Sequence, residues 1–175
     1  MKKYLFLPAV LFSISFGYSQ KNKNAYELSS PNGQNKIKFE LVKNAPKYAV
    51  SHGKTEVITP SDLGFLLKGN EDFSTNFEIK NVKNTSFDET WEQVWGEKKN
   101  IRNHYNQLSV QLQQKTGNKR KLEIQFRAFD DGVAFRYIYP KQNVKDSIFI
   151  MDEKTTFNLK DDGKTWWIPA YRENR

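Results

Sequence analysis

The chain has 175 residues, a formal charge of +8 and no Cys, which is one ordinary domain at roughly 100–200 residues per domain. Without Cys, neither a disulfide framework nor a Cys-based zinc or iron–sulfur site can form, and the two histidines, His52 and His104, are too few for most His-rich metal centres. With 13 Phe, 8 Tyr and 4 Trp the chain carries enough aromatic surface for a packed core, which excludes a wholly disordered chain.

The N-terminus reads as a secretory signal peptide over residues 1–19. Lys2 and Lys3 form the basic start, Tyr4 to Phe16 the apolar stretch, and Gly17-Tyr18-Ser19 the small-residue cleavage site before Gln20. The apolar run is shorter than the ~20 residues of a spanning helix and contains Pro8, so membrane anchoring is not expected. With no Cys after it, a lipid anchor is not expected either. The mature domain is then 20–175, exported, with the periplasm as the expected compartment. Its basic residues are scattered through turns such as Lys21-Asn22-Lys23-Asn24 and Asn118-Lys119-Arg120-Lys121, and no nucleic-acid partner is expected.

From Tyr26 onward the dominant hydrophobic period is two. Ile37, Phe39 and Leu41 alternate with charged residues, and Leu108, Val110 and Leu112 alternate with Gln and Ser. Leu122, Ile124, Phe126 and Ala128 repeat the pattern, followed after a turn by Val133, Phe135 and Tyr137. Pro31-Asn32-Gly33, Ser51-His52-Gly53, Thr116-Gly117-Asn118 and Asp130-Asp131-Gly132 punctuate these runs, and Gly132 is expected at positive φ. No stretch after the leader holds a helical period over three turns. The fold class is therefore all-β, an antiparallel β-sandwich, with no internal repeat of the propeller or solenoid kind.

Chemistry-bearing residues concentrate between Asp88 and Leu108. The run holds Trp91, Glu92, Trp95, Glu97, Arg102, His104 and Tyr105 without strand periodicity, and so reads as a long loop on the β scaffold. Its carboxylates admit a glycosidase reading, which needs two acids about 5–9.5 Å apart. They equally admit a structural one, in which Trp91 and Trp95 anchor the connection and the acids pair with Arg102, Lys98 and Lys99. Asp130-Asp131-Gly132 reads as a hairpin turn before it reads as a calcium loop, because no D-x-D-x-D-G pattern is present. On the Trp166-Trp167 strand the two rings face opposite sides, so one is expected to point outward, toward a sugar or a neighbouring domain. Neither a P-loop, a G-x-S-x-G elbow, an H-E-x-x-H helix nor a thiol nucleophile is available.

In order along the chain, Ser30-Pro31-Asn32-Gly33, Leu63-Gly64-Phe65, Asp88 to Glu97, Arg102-Asn103-His104-Tyr105-Asn106, Phe129 to Tyr137 and Trp166-Trp167-Ile168-Pro169-Ala170 resemble one family. It is the N-terminal domain of glycoside hydrolase family 97, the Bacteroidetes α-glucosidases and α-galactosidases, and the similarity spans roughly Ala25 to Ala170. The resemblance implies a galactose-mutarotase-like sandwich followed by a catalytic (β/α)₈ barrel, an α-linked oligosaccharide substrate, and Ca²⁺ near the active site of the full-length enzyme. The matching calcium-site Glu is expected just past Arg175 and not at Glu173, so no metal ligand is assigned.

A barrel needs on the order of 250 residues, so the catalytic acid and base are expected outside this chain and the sandwich is expected to be incomplete at its C-terminus. No catalytic residue is assigned. Trp91, Glu92, Trp95, Glu97, Arg102, His104, Tyr105, Trp166 and Trp167 are candidates for substrate binding or for a domain interface. The alternative function is a free-standing carbohydrate-binding module in which exposed Trp rings stack on sugars.

Overall fold

The computed structural model describes residues 24–142, 148–164 and 168; the leader at 1–19 and the Trp166-Trp167 strand lie outside them. Strands β1 (Ala25–Ser29), β2 (Asn35–Val42), β3 (Ala45–His52) and β4 (Thr55–Asp62) form one antiparallel sheet in chain order. The period-two run on β2 buries Ile37, Phe39 and Leu41, and β3 adds Tyr48 and Val50 to the same face. Between β2 and β3 the two-residue turn is Lys43-Asn44, both at positive φ (49° and 66°), the geometry that matches the twist of a hairpin.

After β5 (Phe65–Leu67) and β6 (Glu71–Phe73), a second four-stranded sheet follows from β7 (Phe77–Glu92), β8 (Asn100–Gln114), β9 (Lys121–Phe129) and β10 (Gly132–Ile138), ordered β10-β9-β8-β7 and antiparallel throughout. A further strand, β11 (Ile150–Glu153), pairs with β5, which with β6 gives a small third sheet among the described residues. The two large sheets pack face to face. Leu108, Val110, Leu112, Leu122, Ile124, Phe126 and Ala128 meet the buried face of β2, with the Phe39 and Phe126 rings 5.9 Å apart and Tyr48 against Phe135 at 5.2 Å. This is the antiparallel sandwich that the alternation predicts, and the described residues contain no helix.

Gly64 ties the small sheet to the sandwich. Its N–H donates to the Tyr137 hydroxyl at 3.1 Å, and burial pushes that phenol up to about 12. Gly64 sits at φ 135°, a region open essentially to glycine alone. A Cβ there would lie 2.5 Å from the Ser74 Cα and 2.8 Å from the Phe73 carbonyl oxygen, and backbone cannot move aside cheaply.

At the end of the sandwich where β2 begins, Asn35 joins the sheets. Its Nδ2 donates to the carbonyls of Phe129 (2.9 Å) and Asp130 (3.2 Å), while its Oδ1 accepts from Nδ1 of His52 at 2.7 Å. The Asn32 N–H donates to Oδ1 of Asp130 at 2.8 Å. These bonds shape the β9–β10 turn. Asp130 and Asp131 are its two central residues and Gly132 is already paired with Phe129 in β10, so the positive φ expected at Gly132 is not found. The side-chain bonds hold the turn without any left-handed residue.

Two stability changes follow. Gly64→Ala is expected to cost on the order of 2–4 kcal/mol through strain and backbone clash, read as a lower urea midpoint. Asn35→Ala leaves two carbonyls without their donor and is expected to cost about 2–3 kcal/mol, with an unchanged urea m-value.

Candidate functional site

The segment expected as a loop is instead the distal half of the β7–β8 hairpin. Pairing runs without a break from Ser86 opposite Asn106 to Glu92 opposite Asn100, while β9 ends at Phe129, opposite Tyr105. From His104 to Asn100, β8 therefore has only β7 beside it. Five residue pairs at ~3.4 Å per residue carry this two-stranded ribbon about 17 Å past the end of β9. Strand periodicity is invisible there because a ribbon wet on both faces has no buried side to enforce hydrophobic alternation.

The ribbon nevertheless has two chemically different faces. Directly opposite residues share a face, so Asp88, Thr90, Glu92, Asn100, Arg102 and His104 lie together on one side, continuous with Asn106. Asn106 donates from Nδ2 to the Ser29 carbonyl of the facing sheet at 2.8 Å, so this polar side overhangs the open end of the sandwich. The other side carries Phe87, Trp91, Ile101 and Tyr105. Phe87, Tyr105 and Phe129 form a row across β7, β8 and β9 with centroids 5.2 and 5.1 Å apart, and the Arg127 guanidinium lies 4.3 Å over the Tyr105 ring. Tyr105 is thus only 7% exposed and braces the ribbon's root, while Trp91 above it is 46% exposed.

At the tip the chain turns through residues 93–99. Gln93 closes it twice, donating from its backbone N–H to the Lys99 carbonyl (3.0 Å) and from Nε2 to the Lys98 carbonyl (2.7 Å). Gly96 takes φ 137° against that amide. Val94 and Trp95 are left 93% and 88% exposed, so Trp95 is displayed and does not anchor the segment to the core.

The charges of the polar side pair mostly with one another. Arg102 donates to Asp88 through Nε and Nη2 at 2.8 and 2.7 Å, and Lys99 lies 3.5 Å from Glu92; Glu97 is solvated near the tip. The bidentate hydrogen bonds from Arg102 hold the Asp88 carboxyl below the usual carboxylate range, and Asp88 in turn raises Arg102. Between the overhang and the β9–β10 turn lies an open cleft of about 670 Å³ lined by Arg102, His104, Phe129, Asp130 and Asp131. Sequence separation hid this meeting, since only the ribbon's length beyond β9 brings His104 beside Asp130. Among the described residues no group of three or more His, Asp or Glu is placed to hold a metal ion.

Because the Asp88 carboxyl is lowered, its bond to Arg102 is fully present above the ordinary carboxylate range and is lost as pH falls through its own depressed value. The Arg102 Nε–H is therefore expected to exchange more slowly at neutral pH than that of an unpaired arginine at the same pH, and this protection is expected to be lost in acid as Asp88 is protonated. In Asp88→Asn it is expected to be absent at every pH, as NMR of the guanidinium would record.

Residues 28–175 match the family described as glycosyl-hydrolase 97 N-terminal. A retaining alpha-galactosidase of Bacteroides thetaiotaomicron is 25% identical over 138 residues, covering 79% of this chain and 19% of that protein. Among solved structures, a glycoside hydrolase family 97 enzyme from Pseudoalteromonas sp. strain K8, in complex with panose, superposes with a TM-score of 0.77 at 34% identity, over 83% of this chain and 22% of that one. A beta-arabinopyranosidase superposes with a TM-score of 0.69 at 25% identity, over 77% of this chain and 21% of that one. The chain thus spans about a fifth of the length of these relatives. On the antiparallel sandwich and the match over nearly all of the described residues, the chain belongs to glycoside hydrolase family 97, as its N-terminal domain.

Proposed function

We propose that this chain is the non-catalytic N-terminal sandwich of an exported α-glycosidase, which buttresses a catalytic (β/α)₈ barrel and shapes the entrance for an α-linked oligosaccharide. The observation that carries this reading is the ribbon. A sandwich that buries its own core still extends a two-stranded arm with Trp91, Val94 and Trp95 exposed, and apolar groups displayed in this way mark a surface that another surface covers. The relatives' greater length supplies the candidate for that surface.

The ribbon carboxylates support a binding role over a catalytic one. Asp88 is engaged by Arg102, Glu92 faces Lys99, and Glu97 is in water, whereas a general acid needs a site that holds it protonated against a substrate oxygen. The polar side of the ribbon, with Arg102 and His104 above the cleft, is the part suited to line a sugar entrance. In this reading calcium binds to carboxylates of the full-length enzyme outside the described residues. The basic and apolar leader supports delivery to the periplasm.

The test joins the purified chain with the remainder of a family 97 enzyme produced without its own N-terminal segment. The chain alone is expected to give no turnover of p-nitrophenyl α-glucoside or α-galactoside, and the mixture to associate and gain activity. Enzyme-like turnover by the chain alone overturns the scaffold reading, and its loss in Glu92→Gln or Glu97→Gln would identify the ribbon as the catalytic element.

A further inference from the structure

We infer that Val94 and Trp95 form a preformed plug that enters an apolar pocket in the catalytic portion of the same enzyme, and that Gln93 and Gly96 are the residues that position it. This rests on the scaffold reading above and narrows it to two docking side chains. Trp91 has Ile101 opposite and lies two steps from Phe87 on the same face, with Glu89 between them, whereas Val94 and Trp95, beyond the last pair of the ladder, are almost wholly in water.

The tip is built, not merely exposed. Both Gln93 bonds close the turn, and Gly96 takes φ 137°, a conformation that strains any residue with a Cβ, with the Gln93 amide packed against it. A loop ordered before binding avoids the entropic cost of ordering at the interface. The arm's projection of about 17 Å lets the plug reach into a neighbouring body while the sandwich stays outside it.

The chemistry of the tip favours a dry protein pocket over a sugar. Ligand sites set convergent polar groups around an apolar platform, but the chain neighbours of Trp95 are Val94 and Gly96. Trp is also the residue type most enriched among side chains that dominate the energy of protein interfaces.

The experiment measures association of the chain with the remainder of the family 97 enzyme by titration calorimetry, for the unaltered chain, Trp95→Ala, Trp95→Phe, Gly96→Ala and Val42→Ala. Val42, at the far end of β2 from Asn35, is the control. Trp95→Ala is expected to weaken association roughly 30-fold or more, Trp95→Phe to recover most of the loss, Gly96→Ala to weaken it with Trp95 still present, and Val42→Ala to change nothing. Equal melting temperatures for the two Trp95 variants and the parent would confirm intact folding. Association of Trp95→Ala as tight as the parent's overturns the plug and leaves the scaffold reading standing; no association of the unaltered chain overturns both. Maltooligosaccharide binding by the isolated chain that Trp95→Ala abolishes would make the tip a sugar platform, and self-association abolished by the same change would make a second copy its occupant. Either result overturns the plug.

Discussion

The hold that Asn35 and Asn32 exert on the β9–β10 turn decides where this sandwich ends. Asn35 spends its amide on the Phe129 and Asp130 carbonyls, and the Asn32 backbone takes the Asp130 carboxylate, so β9 reverses at that point. Strand β8 is not stopped there. Its partner β7 runs beside it to Glu92, and the mismatch between a fifteen-residue β8 and a nine-residue β9 becomes a free arm. The cleft under the arm, its two faces and its displayed tip all follow from that difference in length.

Aromatic residues serve at three depths along this construction. Phe39 and Phe126 meet between the sheets and remove apolar area from water, the main favourable contribution to folding. At the root of the arm, Phe87, Tyr105 and Phe129 do the same work on the outer face, and Arg127 covers the row with a cation over the Tyr105 ring. At the tip Trp95 has no such cover. Its exposure is a stability neutrality that a binding surface can use, because nothing in the sandwich depends on it.

The charges on the arm organise it without fixing it strongly. Arg102 and Asp88 are a diagonal cross-strand pair in water, where ion pairing contributes little to stability but sets geometry through two parallel hydrogen bonds. The strand register places that pair on the side facing the open end of the sandwich, next to His104 and the Asp130-Asp131 turn. The acids on this side are arranged as partners of cations and not of each other.

The amino-acid sequence by itself determined the class of fold. Ile37-x-Phe39-x-Leu41 and Leu122-x-Ile124-x-Phe126-x-Ala128 alternate because one face of each strand is buried, and a buried face writes its period into the chain. The same rule explains what could not be read. Between Asp88 and His104 neither face is buried in the core, so the residues carry no alternation and the hairpin looks like a loop. Gly132 looked like a turn residue at positive φ because local spacing cannot reveal that Asn35, almost a hundred positions away in sequence, holds the turn from outside. The motif strings carried family membership, but the meeting of Arg102 and His104 with Asp130 and the display of Trp95 came only from the tertiary structure, since both depend on where one strand stops while its neighbour continues.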